Sequence, residues 1–196
     1  MTINSPNPDN RSCATIDYAG HCKEQNLVRL VRWLMAVPST YIFGGLLRHI
    51  INPTVHTEFG DIDLIALDTT TMNRLSDTFG YAFREVSRPG QFPRYFLAKS
   101  PLVPKPIQLI LVRSHAEAMQ FAIDGPQYDI DRVAFSEGRF YFDPVIGEVP
   151  IRHAISTKRA SLVKGYRNLT HFAKYRPQVE QRHRLKLIQK GFEIIE

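Results

Sequence analysis

The sequence predicts an α+β fold, in which helices flank one β-sheet. Short apolar runs with the length of strands alternate along the 196-residue chain with segments whose apolar residues recur at helical spacing. Turn residues, Arg88-Pro89-Gly90 and Glu137-Gly138, separate two pairs of these strands and predict hairpins. The chain is long enough for one domain with a sizeable core, and its 43% hydrophobic content is ordinary for a globular protein.

Residues 1–23 are rich in Asn, Ser, Pro and Asp and show no periodicity, so we predict a flexible N-terminal arm. The arm holds the two cysteines of the chain, Cys13 and Cys22, with His21 beside the second. Two thiols and one imidazole lack a fourth ligand for zinc, which favours unpaired, reduced thiols. No apolar run approaches the roughly 18 residues of a membrane span and no secretory signal is visible, so we expect a cytoplasmic protein without a membrane partner.

From Lys23 onward, helical and strand patterns alternate, and Pro or Gly residues stand where most of them end. The expected order is a helix at 23–37, a strand at 40–43, a helix at 46–51, a strand at 61–67, a helix near 72–79, strands at 83–86, 94–98 and 107–112, a helix at 114–123, and strands at 129–135 and 139–142. This order is typical of a sheet whose connections include both hairpins and helical crossovers.

Two glycines and two aspartates mark a candidate ligand site. Gly44 and Gly45 follow the first strand, where the missing side chains let the backbone turn sharply and approach a ligand closely. The helix that they open would offer unpaired N–H groups to an anion. Asp61 and Asp63 stand at i and i+2 of a strand, so both carboxylates point to one face while the apolar residues beside them point into a core.

Two carboxylates this close predict a bound cation. Like charges raise each other's pKa unless a cation lies between them, and oxygen ligands favour a hard ion such as Mg²⁺. Together with the glycines, the pattern predicts a phosphate group beside one or two Mg²⁺ ions held by Asp61 and Asp63.

These motifs resemble those of the nucleotidyltransferases of the DNA polymerase beta superfamily, in particular the head domain of CCA-adding enzymes and bacterial poly(A) polymerases. The family pattern is a Gly-Gly turn, an arginine one helical turn later, matched here by Arg48, and Asp-x-Asp on the next strand. Residues 128–134 are similar to the family's Asp-Phe-Thr-x-Asn-Ala segment, and residues 142–147 to its Asp-Pro-x-x-Gly hairpin. The four matches follow the family's order within residues 39–150.

The resemblance implies a mixed, mainly antiparallel sheet in a nucleotidyltransferase catalytic domain that spans residues 24–150. It implies that Asp61 and Asp63 are the catalytic, Mg²⁺-binding residues. The residues that it assigns to binding a nucleoside triphosphate are Gly44, Gly45, Arg48, Asp129 and Arg132. From the residues alone, Asp129 could equally cap a turn, and Arg132 could be a solvated strand residue.

The strand at 107–112 departs from the superfamily pattern, in which a third carboxylate often accepts the proton of the attacking hydroxyl. Its polar residue is Gln108, which can neither act as a base nor give a metal a charged ligand. Three interpretations stay open: two carboxylates suffice, Asp129 or Asp131 supplies the third, or the site has lost activity.

Residues 151–196 carry eleven Lys or Arg and three Glu, a net charge of +8, whereas residues 1–150 carry −2. Helical spacing predicts a helix over 157–175 and another after Pro177, and so a basic helical C-terminal segment beside the acidic site. Such a segment favours RNA as a partner, because Lys and Arg release counterions from phosphates, although a solvated helix face would look the same. Residues 184–194 resemble the start of that family's neck domain, so we expect a minimal, stand-alone form of the head.

The hypothesis is therefore a metal-dependent nucleotidyltransferase that moves a nucleoside monophosphate from a nucleoside triphosphate to an acceptor hydroxyl. The acceptor could be the 3′ end of a tRNA or another RNA, a protein hydroxyl or a small molecule, and the basic segment favours RNA. Two other classes stay open: a catalytically inactive relative that binds nucleotide or RNA, and an interaction protein that has kept the fold without the ligand.

Overall fold

A mixed sheet of seven strands carries the predicted motifs. The structure is a computed structural model that describes residues 16–164 and 176–196. In chain order the strands are β1 (Thr40–Phe43), β2 (Ile62–Ala66), β3 (Ala82–Glu85), β4 (Arg94–Lys99), β5 (Ile107–Leu111), β6 (Val133–Ser136) and β7 (Arg139–Phe142). They lie in the order β3-β4-β5-β2-β1-β6-β7, with β2 and β5 parallel and the other neighbours antiparallel.

Helices flank this sheet. The described helices are α1 (Ile16–Ala36), α2 (Gly45–Ile51), α3 (Thr70–Phe79), α4 (His115–Met119), α5 (Glu148–Thr157) and α6 (Arg176–Gln189). Two short strands, β8 (Arg159–Ser161) and β9 (Glu193–Ile195), pair in parallel as a second sheet. The predicted α+β fold with a mainly antiparallel mixed sheet is confirmed.

The main core lies on one face of the large sheet, against five of these helices. The side chains of β2 and β5 alternate between faces, which places Ile62, Leu64 and Leu109 in this core with Leu34 of α1 and Leu47 of α2. All five are buried. Burial of each such side chain contributes roughly 1.5–3 kcal/mol, so this face holds the sheet to its helices.

A smaller core lies on the opposite face. There α4 and the π-helical turn that follows it, Gln120–Asp124, pack Ala118 and Ala122 against Tyr41 and Ile65. The two carboxylates that the sequence predicts as a metal site lie on this second face, where the helical cover ends.

The C-terminal segment shares the main core with the rest of the chain. The predicted boundary at residue 150 falls inside α5, and Ile151, Ile155, Leu187 and Phe192 are all buried in the main core. The described part of the segment that carries the positive charge is therefore packed against the large sheet and includes two strands as well as helices.

Three predicted boundaries differ from the structure. The first helix begins at Ile16, so it takes in part of the predicted arm; residues 1–15, with Cys13, lie outside the described residues. The helix predicted over 157–175 is wrong at its start, because α5 ends at Thr157 and Lys158 adopts φ 52° before β8 begins. Residues 165–175 lie outside the described residues.

The third difference is the strand predicted over 129–135. A 3-10 turn, Asp129–Asp131, takes up its first half, because the Asp129 carboxylate accepts the N–H of Ile130 at 2.7 Å. A side chain that bonds to its own local backbone competes with strand pairing.

No helix among the described residues is long and apolar enough to span a bilayer.

Candidate active site

Asp61 and Asp63 lie at the start of β2, and the neighbouring strands set their surroundings. Asp63 is flanked in the sheet by Phe43 of β1 and by Gln108 of β5, and directly opposed residues point to the same face. The carboxylates open into a cleft of about 370 Å³ between this end of the sheet and α6. The structure thus brings together Gly44, Gly45, Arg48, Asp61, Asp63 and Gln108 around one cleft.

The Asp63 carboxylate is half-buried and has no hydrogen-bond donor among the described residues. Burial, followed by the negative charge of Asp61, raises the pKa of Asp63 to about 7, although Arg48 and two lysines of α6 oppose the rise. An unpartnered carboxylate of this kind is costly to ionise in the free protein. A cation between the two aspartates would relieve that cost.

Gly44 lies against Asp63 and needs to be glycine for two reasons. Its φ is +70°, a conformation that residues with a side chain rarely adopt. A Cβ atom at this position would overlap the Asp63 carboxylate, with Cγ only 3.3 Å away. The sharp turn after β1 therefore leaves room for the carboxylate beside the backbone.

Gln108 occupies the position where a third carboxylate was expected, and its amide faces the first aspartate. The Gln108 Nε2 group donates a hydrogen bond to Asp61 Oδ2. An amide donor in this position holds the Asp61 carboxylate in one orientation without adding a negative charge.

Arg48 projects from α2 into the base of the cleft, where it is buried and pairs with Asp131. Burial lowers the pKa of the Arg48 guanidinium to about 10, against the opposing effect of Asp63 and Asp61. The other oxygen of Asp131 lies 3.1 Å from Nε2 of His183 on α6. Asp131 therefore contacts side chains of both α2 and α6, and its Oδ2 atom is buried without a hydrogen-bond partner among the described residues.

Helix α6 forms the wall opposite the carboxylates. Residues three or four apart on one helix face line the cleft, as helical periodicity requires. They are Val179, Glu180, His183, Lys186 and Leu187, with Lys190 directly after the end of the helix. The charges of Lys186 and Lys190 act on Asp63, and burial lowers the pKa of Lys190. A positive wall therefore faces an acidic pair across the cleft.

Phe192 fixes the end of this wall. Its ring stacks on His56 at 5.3 Å between centroids, and the Arg48 guanidinium lies 5.7 Å from the ring centroid. Burial keeps the pKa of His56 below its usual value, which favours a neutral ring in the stack. Because Arg48 also pairs with Asp131, the same side chain supports α6 at two points.

The other two residues predicted to bind nucleotide, Asp129 and Arg132, belong to the scaffold beneath the cleft and do not line it. Asp129 accepts the N–H groups of Ile130 at 2.7 Å and Ser161 at 2.9 Å, and burial raises its pKa. Arg132 is 7% exposed and donates to Asp143 Oδ2 at 2.7 Å and to two backbone carbonyls. The alternative of a solvated Arg132 is therefore wrong, whereas a turn-capping Asp129 matches the structure. A role of either residue in nucleotide binding stays a prediction.

Sequence patterns did not single out the residues that the π-helical turn, the loop after it and the α6 region add to the cleft. These residues are Phe121, Gln127, Val179, His183, Lys186 and Lys190. The signal that could have found the lysines is their spacing, since Lys186 and Lys190 stand at i and i+4 and so share a helix face.

Asp61 and Asp63 fit a divalent cation such as Mg²⁺. Mg²⁺ is commonly held by one or two carboxylates with substrate phosphates and water as the other ligands, so two aspartates are enough. Among the described residues no group of three or more His, Cys, Asp and Glu side chains forms an alternative site. The unpartnered carboxylate of Asp63, with its raised pKa, is the observation that supports a cation here.

No protein-family model matches the sequence, and no curated protein matches it significantly. Solved structures do share the fold. A CCA-adding enzyme in complex with ATP superposes with a TM-score of 0.56 at 10% identity, over 95% of this chain and 42% of the enzyme. The complex of a CCA-adding enzyme with CTP gives 0.55 at 12% identity, over 91% and 42% of the two chains. The Thermotoga maritima CCA-adding enzyme with tRNA gives 0.53 at 11% identity, over 91% and 41%.

These matches confirm the predicted fold, which the chain shares with CCA-adding enzymes. At 10–12% identity they show the fold alone. The chain spans less than half of the length of the enzymes that it matches. Its chemistry therefore has to be argued from its own cleft.

Proposed function

We propose that this protein is a metal-dependent nucleotidyltransferase that moves a nucleoside monophosphate from a nucleoside triphosphate to an acceptor hydroxyl on RNA. The observation that carries the proposal is the unpartnered Asp63 carboxylate beside Asp61, facing the cations of α6 across one cleft. A pair of carboxylates opposite lysines is the charge arrangement that a metal–triphosphate complex needs.

Each side of the cleft has its own task in this proposal. Asp61 and Asp63 would hold Mg²⁺, which when bound neutralises the phosphate oxygens and stabilises the leaving pyrophosphate. Gln108 keeps the Asp61 carboxylate oriented through its amide. On the opposite wall, Lys186 and Lys190 neutralise the charge of the β- and γ-phosphates, and the turn at Gly44 leaves space for them against the backbone.

The reaction is an in-line displacement. The acceptor oxygen bonds to the α-phosphorus, the bond from that phosphorus to the bridging oxygen breaks, and pyrophosphate leaves with the electron pair. Gln108 cannot accept the hydroxyl proton, so the proton passes to water in the open cleft. We therefore expect the rate to rise with pH as hydroxide becomes available.

The test is transfer of label from each α-³²P nucleoside triphosphate in the presence of Mg²⁺ and RNA, with wild-type protein and Asp63→Asn. We expect labelled RNA with the wild type and at least about a thousandfold less label with Asp63→Asn, because the metal would lose a charged ligand beside the reacting phosphate. Asp77→Asn is the matched control, since Asp77 is exposed on α3, away from the cleft. Equal labelling by wild type and Asp63→Asn would remove the assignment.

A second candidate is an inactive relative that still binds nucleotide, and Gln108 in place of a third carboxylate is the observation that favours it. Calorimetry separates the two candidates, because an inactive relative binds the triphosphate with Mg²⁺ without releasing pyrophosphate. Release of pyrophosphate that depends on Asp63 would favour the transferase.

A further inference from the structure

The row of side chains that contains Asp63 and Gln108 continues across the sheet beyond the cleft. In β4, Leu97 lies directly opposite Gln108, and in β3, Arg84 lies directly opposite Leu97. Directly opposed residues point to the same face, so Asp63, Gln108, Leu97 and Arg84 form one line on the face that carries the cleft. With a strand spacing of about 4.8 Å, Arg84 lies about 14 Å from Asp63.

A second row runs beside the first. Ile65 of β2 opposes Ile110 of β5, which opposes Tyr95 of β4, and Val86 donates its N–H to the carbonyl of Tyr95 at 2.8 Å. Tyr95 lines the cleft and packs edge-on against Phe121 of the π-helical turn, with 6.4 Å between centroids. Tyr95 thus marks the place where the helical cover ends and the sheet face becomes open.

Beyond Tyr95, no element in the described part of the chain covers this face. Leu97 is 40% exposed and Val86 is 42% exposed, although each points from the surface of a sheet that is packed on its other side. Large apolar side chains on an open surface next to a cleft are typical of a binding site.

The charges on this face are positive and have no ion pairs among the described residues. Arg84 and Lys99 are exposed and point to the same side as Leu97. The acidic residue of the hairpin, Glu85, alternates to the other side, where it pairs with Arg94 at 2.6 Å. The hairpin therefore presents two cations and no anion to the side of the cleft.

We propose that Arg84, Val86, Tyr95, Leu97 and Lys99, here called the acceptor platform, bind the 3′-terminal nucleotides of a single-stranded RNA and deliver its 3′-hydroxyl to the cleft. The inference rests on the proposed function, since it names the acceptor of that reaction. Bases pack on the apolar and aromatic side chains, and Arg84 and Lys99 contact the phosphates that follow.

Two features of the platform favour a polynucleotide over a protein or a small molecule. The platform continues the line of the reacting residues over about 14 Å, which is longer than one nucleotide. Its lysine and arginine complement a repeating anion, while its apolar residues carry no hydrogen-bonding groups that would select one base. The side of the cleft formed by Gln108, Ile110 and Tyr95 carries no cation, which leaves the triphosphate to the α6 side.

The experiment measures binding of a fluorescein-labelled single-stranded RNA of about eight nucleotides by anisotropy, without nucleotide or Mg²⁺, at several salt concentrations. Arg84→Gln/Lys99→Gln removes both phosphate contacts of the platform. Because each contact adds about 0.7 to the salt slope of single-strand binding, we expect the slope to fall by about 1.4 and the affinity at 0.1 M salt by about 25-fold.

Arg94→Gln is the matched control, since it removes the same charge from the same hairpin on the opposite face. We expect it to lower the slope by less than about 0.3, and Leu97→Ser to weaken binding without a change in slope. The same double variant should raise the KM for RNA in the transfer assay and leave the affinity for the triphosphate unchanged.

Equal effects of Arg94→Gln and the double variant would overturn the platform, and so would transfer of label to a protein with RNA left unlabelled. These outcomes are distinct from failure of the proposed function. If the proposed function fails, Asp63→Asn has no effect on transfer, or no nucleotide is transferred at all. The RNA-binding measurement is independent of this result, because it needs neither nucleotide nor metal.

Discussion

Two groups of carboxylates in this protein lie close together and differ in their partners. Asp61 and Asp63 on β2 receive one hydrogen bond between them from the described residues, the amide of Gln108. By contrast, the carboxylates of Asp129 and Asp143 are both engaged by the protein. Asp129 accepts two backbone N–H groups, and Asp143 accepts Arg132 and two more.

This difference distinguishes carboxylates that form a ligand site from carboxylates that hold the fold together. The carboxylates of Asp129 and Asp143 accept hydrogen bonds from donors that the fold itself supplies. A bound ligand would therefore add little stabilisation to them. The Asp61–Asp63 pair is half-buried and has one such donor, from Gln108 to Asp61, so a bound cation would supply the stabilisation of Asp63 that the protein lacks. Chemical resemblance alone, an aspartate near an arginine, does not distinguish the two groups.

The largest effect on stability is expected at Asp143. Burial alone would raise its pKa, but the hydrogen bonds from Arg132 and from the N–H groups of Val145 and Ile146 hold that pKa below its usual value. Asp143→Asn leaves the buried Arg132 guanidinium without its anion. We expect the free energy of unfolding to fall by about 3–5 kcal/mol, measured by urea denaturation.

The control for this change is an ion pair of the same type on the surface. Glu148→Gln removes the partner of Arg152, which lies 2.7 Å away in an exposed i, i+4 pair on α5. Its expected cost is below about 0.5 kcal/mol. A loss of equal size in both variants would contradict the assignment of Asp143 to the scaffold.

At Asp63 the expected change in stability has the opposite sign, because removal of its charge should stabilise the metal-free protein. The folded-state pKa of about 7 lies above the unfolded value of 3.8, so the folded state binds more protons between these pH values and loses stability as pH rises through them. Allowing for its partial exposure, Asp63→Asn should gain about 1–3 kcal/mol at pH 8 and nothing near pH 4. Thermal unfolding of both proteins in EDTA from pH 4 to 8 measures the difference.

His183, in the same cleft, should give stability the opposite dependence on pH. Burial, followed by the charge of Arg48, lowers the pKa of His183 to about 4, so the unfolded state binds more protons between pH 4 and 6.5. The contribution of His183 to wild-type stability should therefore be lost as pH falls through this range, against the contribution of Asp63, and His183→Gln should remove it. A gain of Asp63→Asn that stays constant with pH, in a His183→Gln background, would contradict the raised pKa.

Local rules predicted those parts of the chain in which sequence neighbours decide the structure. Periodicity gave β1, β2, β4 and β5 to within a residue or two, because each is an apolar strand between turn residues. The side-chain alternation around Asp63 was predicted for the same reason. The scaffold role of Arg132 was not predictable, since its partners, Asp143 and the carbonyls of Asp124 and Pro126, are brought to it only by the fold.

The same limit applies to the wall that α6 forms. Composition predicted a basic segment, and helical spacing predicted a helix after Pro177, but the face that meets the cleft is set by the stack of Phe192 between Arg48 and His56. Sequence separations of more than 130 residues join these groups, and no local pattern records them.

The smallest effect in this comparison, and a direct probe of the close approach at β2, is expected at Gly44. Gly44→Ala introduces a Cβ at φ +70° and against the Asp63 carboxylate. We expect a loss of about 1–2 kcal/mol from the backbone conformation, and weaker Mg²⁺-dependent binding of nucleotide because Asp63 is displaced. Gly60→Ala is the control, since no atom lies within 4 Å of its added Cβ. Calorimetric titration of nucleotide into both variants separates backbone strain from displacement of Asp63. If Gly44→Ala only strains the backbone, its stability falls but its affinity for nucleotide equals that of Gly60→Ala.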